Sequence, residues 1–121
     1  MSGVLFDTAI LIDALVGLAA ARTAIVSAPD RAITRLAWAE VLAGARGDAE
    51  RVEGFLQQFR LVELSEDIAR RGAVLRAQQP GMALADALTL AAAQTTGKIL
   101  ITRNTKDFPA ELPGIRVPYT L

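Results

Sequence analysis

The sequence predicts an α/β domain in which a central parallel β-sheet is flanked by helices in three layers. Short apolar runs with strand character alternate along the chain with longer segments whose apolar residues recur at helical spacing. This alternation favours parallel pairing, because each helix carries the chain back across a face of the sheet. The 121 residues suit one domain spanning residues 1–121, and no repeat or linker divides them.

The first predicted elements are one strand and two helices. Residues 3–6 form a short apolar run that ends at Asp7. Thr8 then offers a side-chain oxygen to cap a helix at residues 9–16. A second helix is expected at residues 19–26, where apolar residues return at helical spacing.

The middle of the chain predicts a strand followed by a helical hairpin. Residues 32–34 form the strand, and Thr34 is placed to cap the helix at residues 36–45. A turn at Gly47-Asp48 separates it from another amphipathic helix at residues 50–59.

The next elements repeat the strand and helix alternation. Residues 61–64 are expected to form a strand, and Ser65 caps a helix that continues to about residue 77. After the break at residues 79–81, a long helix is predicted at residues 82–96 and is closed by a glycine.

The last two strands are expected at residues 98–102 and 114–118. The first is the clearest strand in the sequence, and residues 103–109 form its exit loop. The second is assigned to the sheet edge, where a flanking proline is tolerated.

The composition limits the possible chemistry. The sequence has no cysteine and no histidine, which excludes disulfides, zinc-thiolate sites, thiol nucleophiles, the Ser-His-Asp triad and imidazole metal sites. Oxygen ligands alone favour hard cations, so Mg²⁺ is the expected cofactor, with Mn²⁺ as an alternative. The absence of cysteine favours a cytoplasmic location, and no apolar stretch of about 20 residues predicts a membrane span.

Four acidic residues are candidates for one catalytic site: Asp7, Glu40, Asp86 and Asp107. Asp7 and Asp107 follow predicted strands, whose carboxyl ends meet at one edge of a parallel sheet. Glu40 and Asp86 are single charges in strongly apolar helical stretches. A carboxylate buried in such a helix must be paired or metal-bound, and four clustered carboxylates should raise the pKa of at least one of them.

Each acid alone also has a structural interpretation. Asp7 and Asp86 can stabilise the N-terminal turn of a helix, and Glu40 can lie on an exposed helix edge. Asp107 can serve a turn. Together, however, they form the set of carboxylates that a metal-assisted phosphodiesterase requires.

Four segments resemble, in order, the acidic motifs of PIN domains. They are LFDTAILI at residues 5–12, WAEV at 38–41, ADAL at 85–88 and TRNTKDF at 102–108. Their spacing and the length of the chain resemble the VapC branch of bacterial toxin-antitoxin pairs, in which a compact PIN nuclease cleaves RNA. The resemblance implies a three-layer PIN-like fold and a magnesium-dependent endoribonuclease.

The resemblance also assigns roles to the acids. Asp7 and Asp86 are the implied Mg²⁺ ligands, and Glu40 completes the acidic cluster directly or through water. The fourth place belongs to Asp107 or to Asn104, because the last motif varies in the family.

Neighbouring polar residues are given supporting roles. Thr8 and Thr102 are expected to supply hydroxyl groups next to the metal ligands. Arg103 and Lys106 are expected either to contact the phosphate backbone or to be loop cations in solvent. Asp13 is interpreted as an exposed helix acid.

The implied partners are an RNA substrate and a cognate antitoxin whose carboxyl-terminal segment wraps the toxin. Apolar residues make up 52% of the sequence, which leaves apolar surface for such a partner or for a homodimer. Thirteen basic and thirteen acidic residues cancel, so the net charge neither supports nor excludes RNA binding.

Two alternative functions remain open from the sequence. One is a magnesium-dependent phosphatase-like enzyme, although position 9, where the haloacid phosphatase pattern has a second Asp, is Ala9. The other is a catalytically idle PIN-like module that binds RNA or protein.

Overall fold

The structure is a computed structural model that describes residues 3–109 and 112–121. Within these residues, the elements are β1 (Val4–Phe6), α1 (Thr8–Leu15), α2 (Ala19–Val26), β2 (Arg31–Thr34), α3 (Arg35–Ala43), α4 (Ala49–Leu56), β3 (Arg60–Val62), α5 (Glu66–Gln78), α6 (Leu84–Thr96), β4 (Ile99–Ile101) and β5 (Ile115–Arg116).

The strands form one parallel sheet in the order β3-β2-β1-β4-β5. The first strand of the chain is therefore at the centre, and β5 lies at an edge, as predicted. The α/β fold class with a central parallel sheet is confirmed.

The alternation of side chains along the strands separates two apolar layers. Phe6, Ile33 and Ile101 face one core cluster, which includes the buried residues of α1 to α4. Their neighbours Leu5, Ala32 and Leu100 face the other cluster, which contains the buried residues of α5 and α6. Adjacent strand residues point to opposite faces, so these short apolar strands serve both cores, and the predicted three layers result.

Local chemistry explains several helix ends. The side chains of Thr34 and Ser65 accept hydrogen bonds from the Ala37 and Ile68 amides, so both predicted caps are confirmed. Gly97 ends α6 with φ 68°, a left-handed conformation that glycine adopts at little cost.

The predicted cap of α1 is wrong. Asp7 is the capping residue, and its Oδ1 accepts a hydrogen bond from the Thr8 amide at 2.9 Å. Thr8 is the first helical residue. The reason is that the Asp7 amide still donates to the carbonyl of Ile101 in β4, which keeps Asp7 extended.

Among the described residues, no single helix is long and apolar enough to cross a membrane. The α1 and α2 pair has the required length and composition together, but the two helices are bent by 118° relative to each other.

Candidate active site at the carboxyl edge of the sheet

The four predicted acids come together at the carboxyl edge of the sheet. The parallel topology brings the end of β1, which carries Asp7, next to the loop after β4, which carries Asp107. Asp86 lies in the first turn of α6, and Glu40 lies in α3. A cleft of about 450 Å³ opens here. Its lining residues are Asp7, Thr8, Ala9, Glu40, Ala85, Asp86, Thr89, Arg103, Asn104, Thr105 and Lys106.

Asp7 forms the floor of the cleft and is only 7% exposed. Its Oδ2 accepts a hydrogen bond from the Thr102 hydroxyl at 2.8 Å, in addition to the bond from the Thr8 amide. Burial raises the pKa of the Asp7 carboxyl, and these hydrogen bonds and the charge of Arg103 only partly oppose that effect. The loss of hydration therefore has the largest influence on this carboxylate.

Asp86 is the acid whose proton affinity changes most. Burial, followed by a close contact and charge repulsion with Asp107 and by the charges of Asp7 and Glu40, raises the pKa of Asp86 to about 6. The Asp86 and Asp107 carboxyl groups therefore interact directly beside the cleft. The expected electrostatic strain of four clustered carboxylates is present in this cleft.

Glu40 lies at the rim and is exposed. Its Oε1 accepts a hydrogen bond from the Thr8 hydroxyl at 3.0 Å, which ties α3 to the start of α1. The hydroxyls of Thr8 and Thr102 therefore each hold a different acid of the cluster, Glu40 and Asp7 respectively.

Asn104 and Asp107, the two candidates for the fourth place, are hydrogen-bonded to each other. The Asn104 side-chain amide donates to Asp107 Oδ2 at 3.1 Å, and the Asp107 amide donates back to Asn104 Oδ1 at 3.4 Å. Asn104 lines the cleft, while Asp107 carries the charge that acts on Asp86. The two residues belong to one turn at the edge of the cleft.

Comparisons with known proteins place the chain in a family. The PIN domain matches residues 4–110, which is most of the sequence. The chain belongs to the PIN domain family. The family predicted from the four acidic motifs is thereby confirmed. The comparison with curated proteins found no match.

Several solved structures share this PIN fold. A chain of a toxin-antitoxin complex from Klebsiella pneumoniae is 41% identical, with a TM-score of 0.91, over 98% of this chain and 99% of that chain. FitAcB from Neisseria gonorrhoeae is 23% identical, with a TM-score of 0.78, over 95% of this chain and 97% of that chain. DNA-bound VapBC from Salmonella typhimurium is 20% identical, with a TM-score of 0.78, over 99% and 98% respectively. The structures from Neisseria gonorrhoeae and Salmonella typhimurium share little sequence with this chain, so they support the fold alone.

Asp13 of this PIN domain is not the exposed acid that the sequence suggested. It is only 7% exposed, and its two carboxylate oxygens accept hydrogen bonds from Arg103 Nε at 2.6 Å and Nη2 at 3.0 Å. The Tyr119 hydroxyl donates to Asp13 Oδ2 at 2.7 Å. The hydrogen bond from Arg103 is the largest influence that lowers the pKa of Asp13. The prediction failed because the partners lie far away in sequence.

The two cations of the loop after β4 differ in their surroundings. Arg103 lines the cleft, but two of its nitrogens are engaged by Asp13. Lys106 also lines the cleft and is exposed. Within residues 3–109 and 112–121, no hydrogen bond or ion pair engages its ammonium group. Lys106 is thus the cation that remains available to an incoming phosphate.

The donor set of the cleft fits a magnesium ion. Its oxygen donors are carboxylates, hydroxyls and an amide, and the sequence contains no histidine or cysteine that would favour zinc. Among the described residues, no three acidic side chains are arranged as a ready metal cage. Mg²⁺ commonly binds through one or two carboxylates and completes its shell with water and substrate phosphate, so a pair of acids is sufficient.

Proposed function

We propose that this PIN domain is the toxin component of a VapBC-type toxin-antitoxin pair and acts as a magnesium-dependent endoribonuclease. The observation that carries the proposal is the convergence of Asp7, Glu40 and Asp86 in one cleft, with Asp107 beside Asp86. Burial, followed by the interaction with Asp107 and the charges of the other two acids, raises the pKa of Asp86 to about 6. A fold without a charged ligand has no reason to keep such a repulsive cluster. The relative that is 41% identical belongs to a toxin-antitoxin complex, which supports the biological role.

Asp7 and Asp86 would hold the Mg²⁺ ion, and Mn²⁺ is an acceptable substitute. When bound, such an ion lowers the pKa of a bound water and stabilises charge on the phosphate. The remaining acids act on the attacking water. Glu40, which Thr8 holds in place, and Asp107, which Asn104 holds in place, are the carboxylates available to orient it and accept its proton.

The substrate is positioned by a cation of the cleft. Lys106 lies at the mouth of the cleft and contacts the phosphate next to the cleaved bond. A water oxygen forms a bond to the phosphorus in line with the leaving oxygen and gives its proton to Glu40 or Asp107. The bond to the leaving oxygen breaks, and that oxygen takes up a proton from solvent. The products are two shorter RNA strands.

The decisive experiment is cleavage of total RNA by the purified, partner-free protein with Mg²⁺, with Mn²⁺ and with chelator. Asp7→Asn and Asp86→Asn should abolish metal-dependent cleavage at discrete sites. Asp67→Asn is the matched control, because Asp67 is an exposed acid on α5 outside the cleft and should leave cleavage unchanged. Equal cleavage by the Asp7 variant and the unmodified protein would disprove the assignment.

The second candidate is a catalytically idle PIN module that binds RNA or protein. The absence of a three-acid metal cage among the described residues favours it. Folded, partner-free protein that neither cleaves RNA nor binds divalent metal would select this alternative.

The proposed partners are an antitoxin and a second copy of the chain, in the cytoplasm. Ile12, Val16 and Val26 are exposed large apolar residues on α1, its C-terminal cap and α2, and exposed apolar side chains of this kind suit contact with a protein partner. Co-expression with the product of the adjacent gene should give a stable complex that lacks nuclease activity. Size-exclusion chromatography of the chain alone tests the homodimer.

A further inference from the structure

Three residues from distant parts of the chain meet beside the acidic cleft. Asp13 lies in α1, Arg103 begins the loop after β4, and Tyr119 follows β5. Arg103 and Tyr119 both donate to the Asp13 carboxylate, which makes a connected cluster of one acid, one guanidinium and one phenol. None of the three is needed to build the sheet.

The cluster fixes geometry more than it adds stability. The Asp13 side chain is 10% exposed and that of Arg103 is 33% exposed. Removing the Asp13 carboxylate from water costs free energy that its attraction to Arg103 regains only when the geometry is good and the remaining lone pairs are satisfied. Both conditions are met, because the pairing of Arg103 is bidentate and Tyr119 supplies a further donor. Such a pair adds little net stability compared with apolar residues, but it fixes the relative position of the elements that carry it.

The element fixed by Arg103 is the loop that completes the cleft. Its neighbour Thr102 donates to Asp7, and the Asn104 amide donates to the Thr102 hydroxyl at 3.0 Å. Asn104 in turn holds Asp107. Helix α1 and its cap therefore hold the start of the loop at two adjacent residues, Thr102 through Asp7 and Arg103 through Asp13.

We propose that Asp13, Arg103 and Tyr119 are positioning residues that hold the loop at residues 102–107 against α1, so that Asp107 stays opposite Asp86. This inference rests on the proposed function, because it concerns the same acidic site. Tyr119 lies in the segment after β5 and binds the same Asp13 carboxylate. Its ring packs against the core cluster of α1 to α4, while its hydroxyl reaches Asp13.

Tyr119→Phe is the most informative variant, because it keeps the packing ring and removes only the hydroxyl donor. Asp13→Asn removes the charge that binds Arg103. In metal-free protein, we expect both variants to show several-fold faster amide hydrogen exchange in the segment 102–108 and unchanged exchange in α5. We also expect a several-fold higher Mg²⁺ concentration at half-maximal thermal stabilisation in both variants.

Ser65→Ala is the matched control for a general loss of stability. It removes the side-chain cap of α5, on the other face of the sheet, and should leave exchange in the loop unchanged. Unchanged loop exchange in both Asp13→Asn and Tyr119→Phe would overturn the proposal, as would an equal increase in Ser65→Ala.

The Arg103→Lys variant distinguishes the effect of bidentate hydrogen bonding from the effect of the positive charge. Lysine keeps the positive charge near Asp7 but lacks the planar fork that binds Asp13 at two oxygens. We expect this variant to show the same loop exchange and Mg²⁺ dependence as Asp13→Asn. If it instead matches the unmodified protein, charge alone is sufficient and the positioning role is wrong. Hydrogen exchange needs no activity, so a failure of RNA cleavage by the unmodified protein rejects the proposed function separately.

Discussion

Asp86 dominates the pH behaviour expected of the metal-free protein. Its pKa of about 6 in the fold exceeds the ordinary value of 3.8, so the folded protein retains a proton that the unfolded chain has already released. Between pH 4 and pH 6, roughly, stability should therefore fall as the pH rises, and above that window it should level off. Asp7, whose pKa is also raised, contributes with the same sign.

We accordingly predict that Asp86→Asn raises the melting temperature at pH 7 in chelator and flattens its decline between about pH 4 and pH 6. The measurement is a thermal unfolding series across pH, with Asp67→Asn as the control. A variant with the unmodified pH profile would show that Asp86 is not the strained group.

The same sequence signal identified some acids and missed another. Glu40 and Asp86 were singled out as lone charges in apolar helical stretches, and both line the cleft. Asp13 is likewise the only charged residue of α1, but the sequence pattern gives no sign that it is buried. Its partner Arg103 is 90 residues away, and only the fold reveals that pairing. The helical pattern indicates that such an acid needs a partner, but it does not indicate which one.

At the scale of elements, two helical glycines have opposite surroundings. A Cβ added at Gly54 in α4 meets no atom within 4 Å, whereas one added at Gly72 in α5 lies 2.6 Å from Leu88 Cδ2 of α6. Alanine favours a helix over glycine by about 1 kcal/mol. The absence of a side chain at Gly72 therefore allows α5 to pack closely on α6.

We predict that Gly54→Ala stabilises the protein by about 0.5–1 kcal/mol and that Gly72→Ala destabilises it by about 1 kcal/mol, because Leu88 must move. Urea unfolding measures both changes. In a Leu88→Ala background the cost of Gly72→Ala should disappear. A persistent cost there would mean that the contact with Leu88 is not its cause.

Local chemistry made the helix starts at Thr34 and Ser65 predictable. The start of α1 was not, because Asp7 and Thr8 are both good capping residues. The choice between them depends on the hydrogen bond from Asp7 to β4, which is a tertiary contact. Likewise, alternation predicted a parallel sheet, but the strand order depends on pairing between distant segments.

At the scale of the whole molecule, the net charge is zero, so the proposed RNA binding would depend on local cations. We predict that Lys106→Ala lowers the slope of log affinity against log salt by about 0.7 for single-stranded RNA, because one phosphate contact is lost. Fluorescence anisotropy in chelator measures binding without cleavage. Arg70→Ala is the control, since Arg70 pairs with Glu66 on α5. An identical slope for the Lys106 variant would contradict the contact.

Metal binding should also stabilise the whole fold, because the ion relieves repulsion in the cleft. We predict that Mg²⁺ or Mn²⁺ raises the melting temperature in a concentration-dependent manner and that Asp7→Asn shrinks this rise. Thermal scans over a metal titration provide the readout. An undiminished rise in Asp7→Asn would exclude Asp7 as a ligand.

The central place of β1 in the sheet has a consequence for a chain made on the ribosome. Asp7 is synthesised early, but the Thr102 hydroxyl that it binds comes 95 residues later, and the Tyr119 hydroxyl comes 106 residues after Asp13. The acidic cleft therefore cannot be completed on a growing chain before the segment at residues 102–119 has left the exit tunnel.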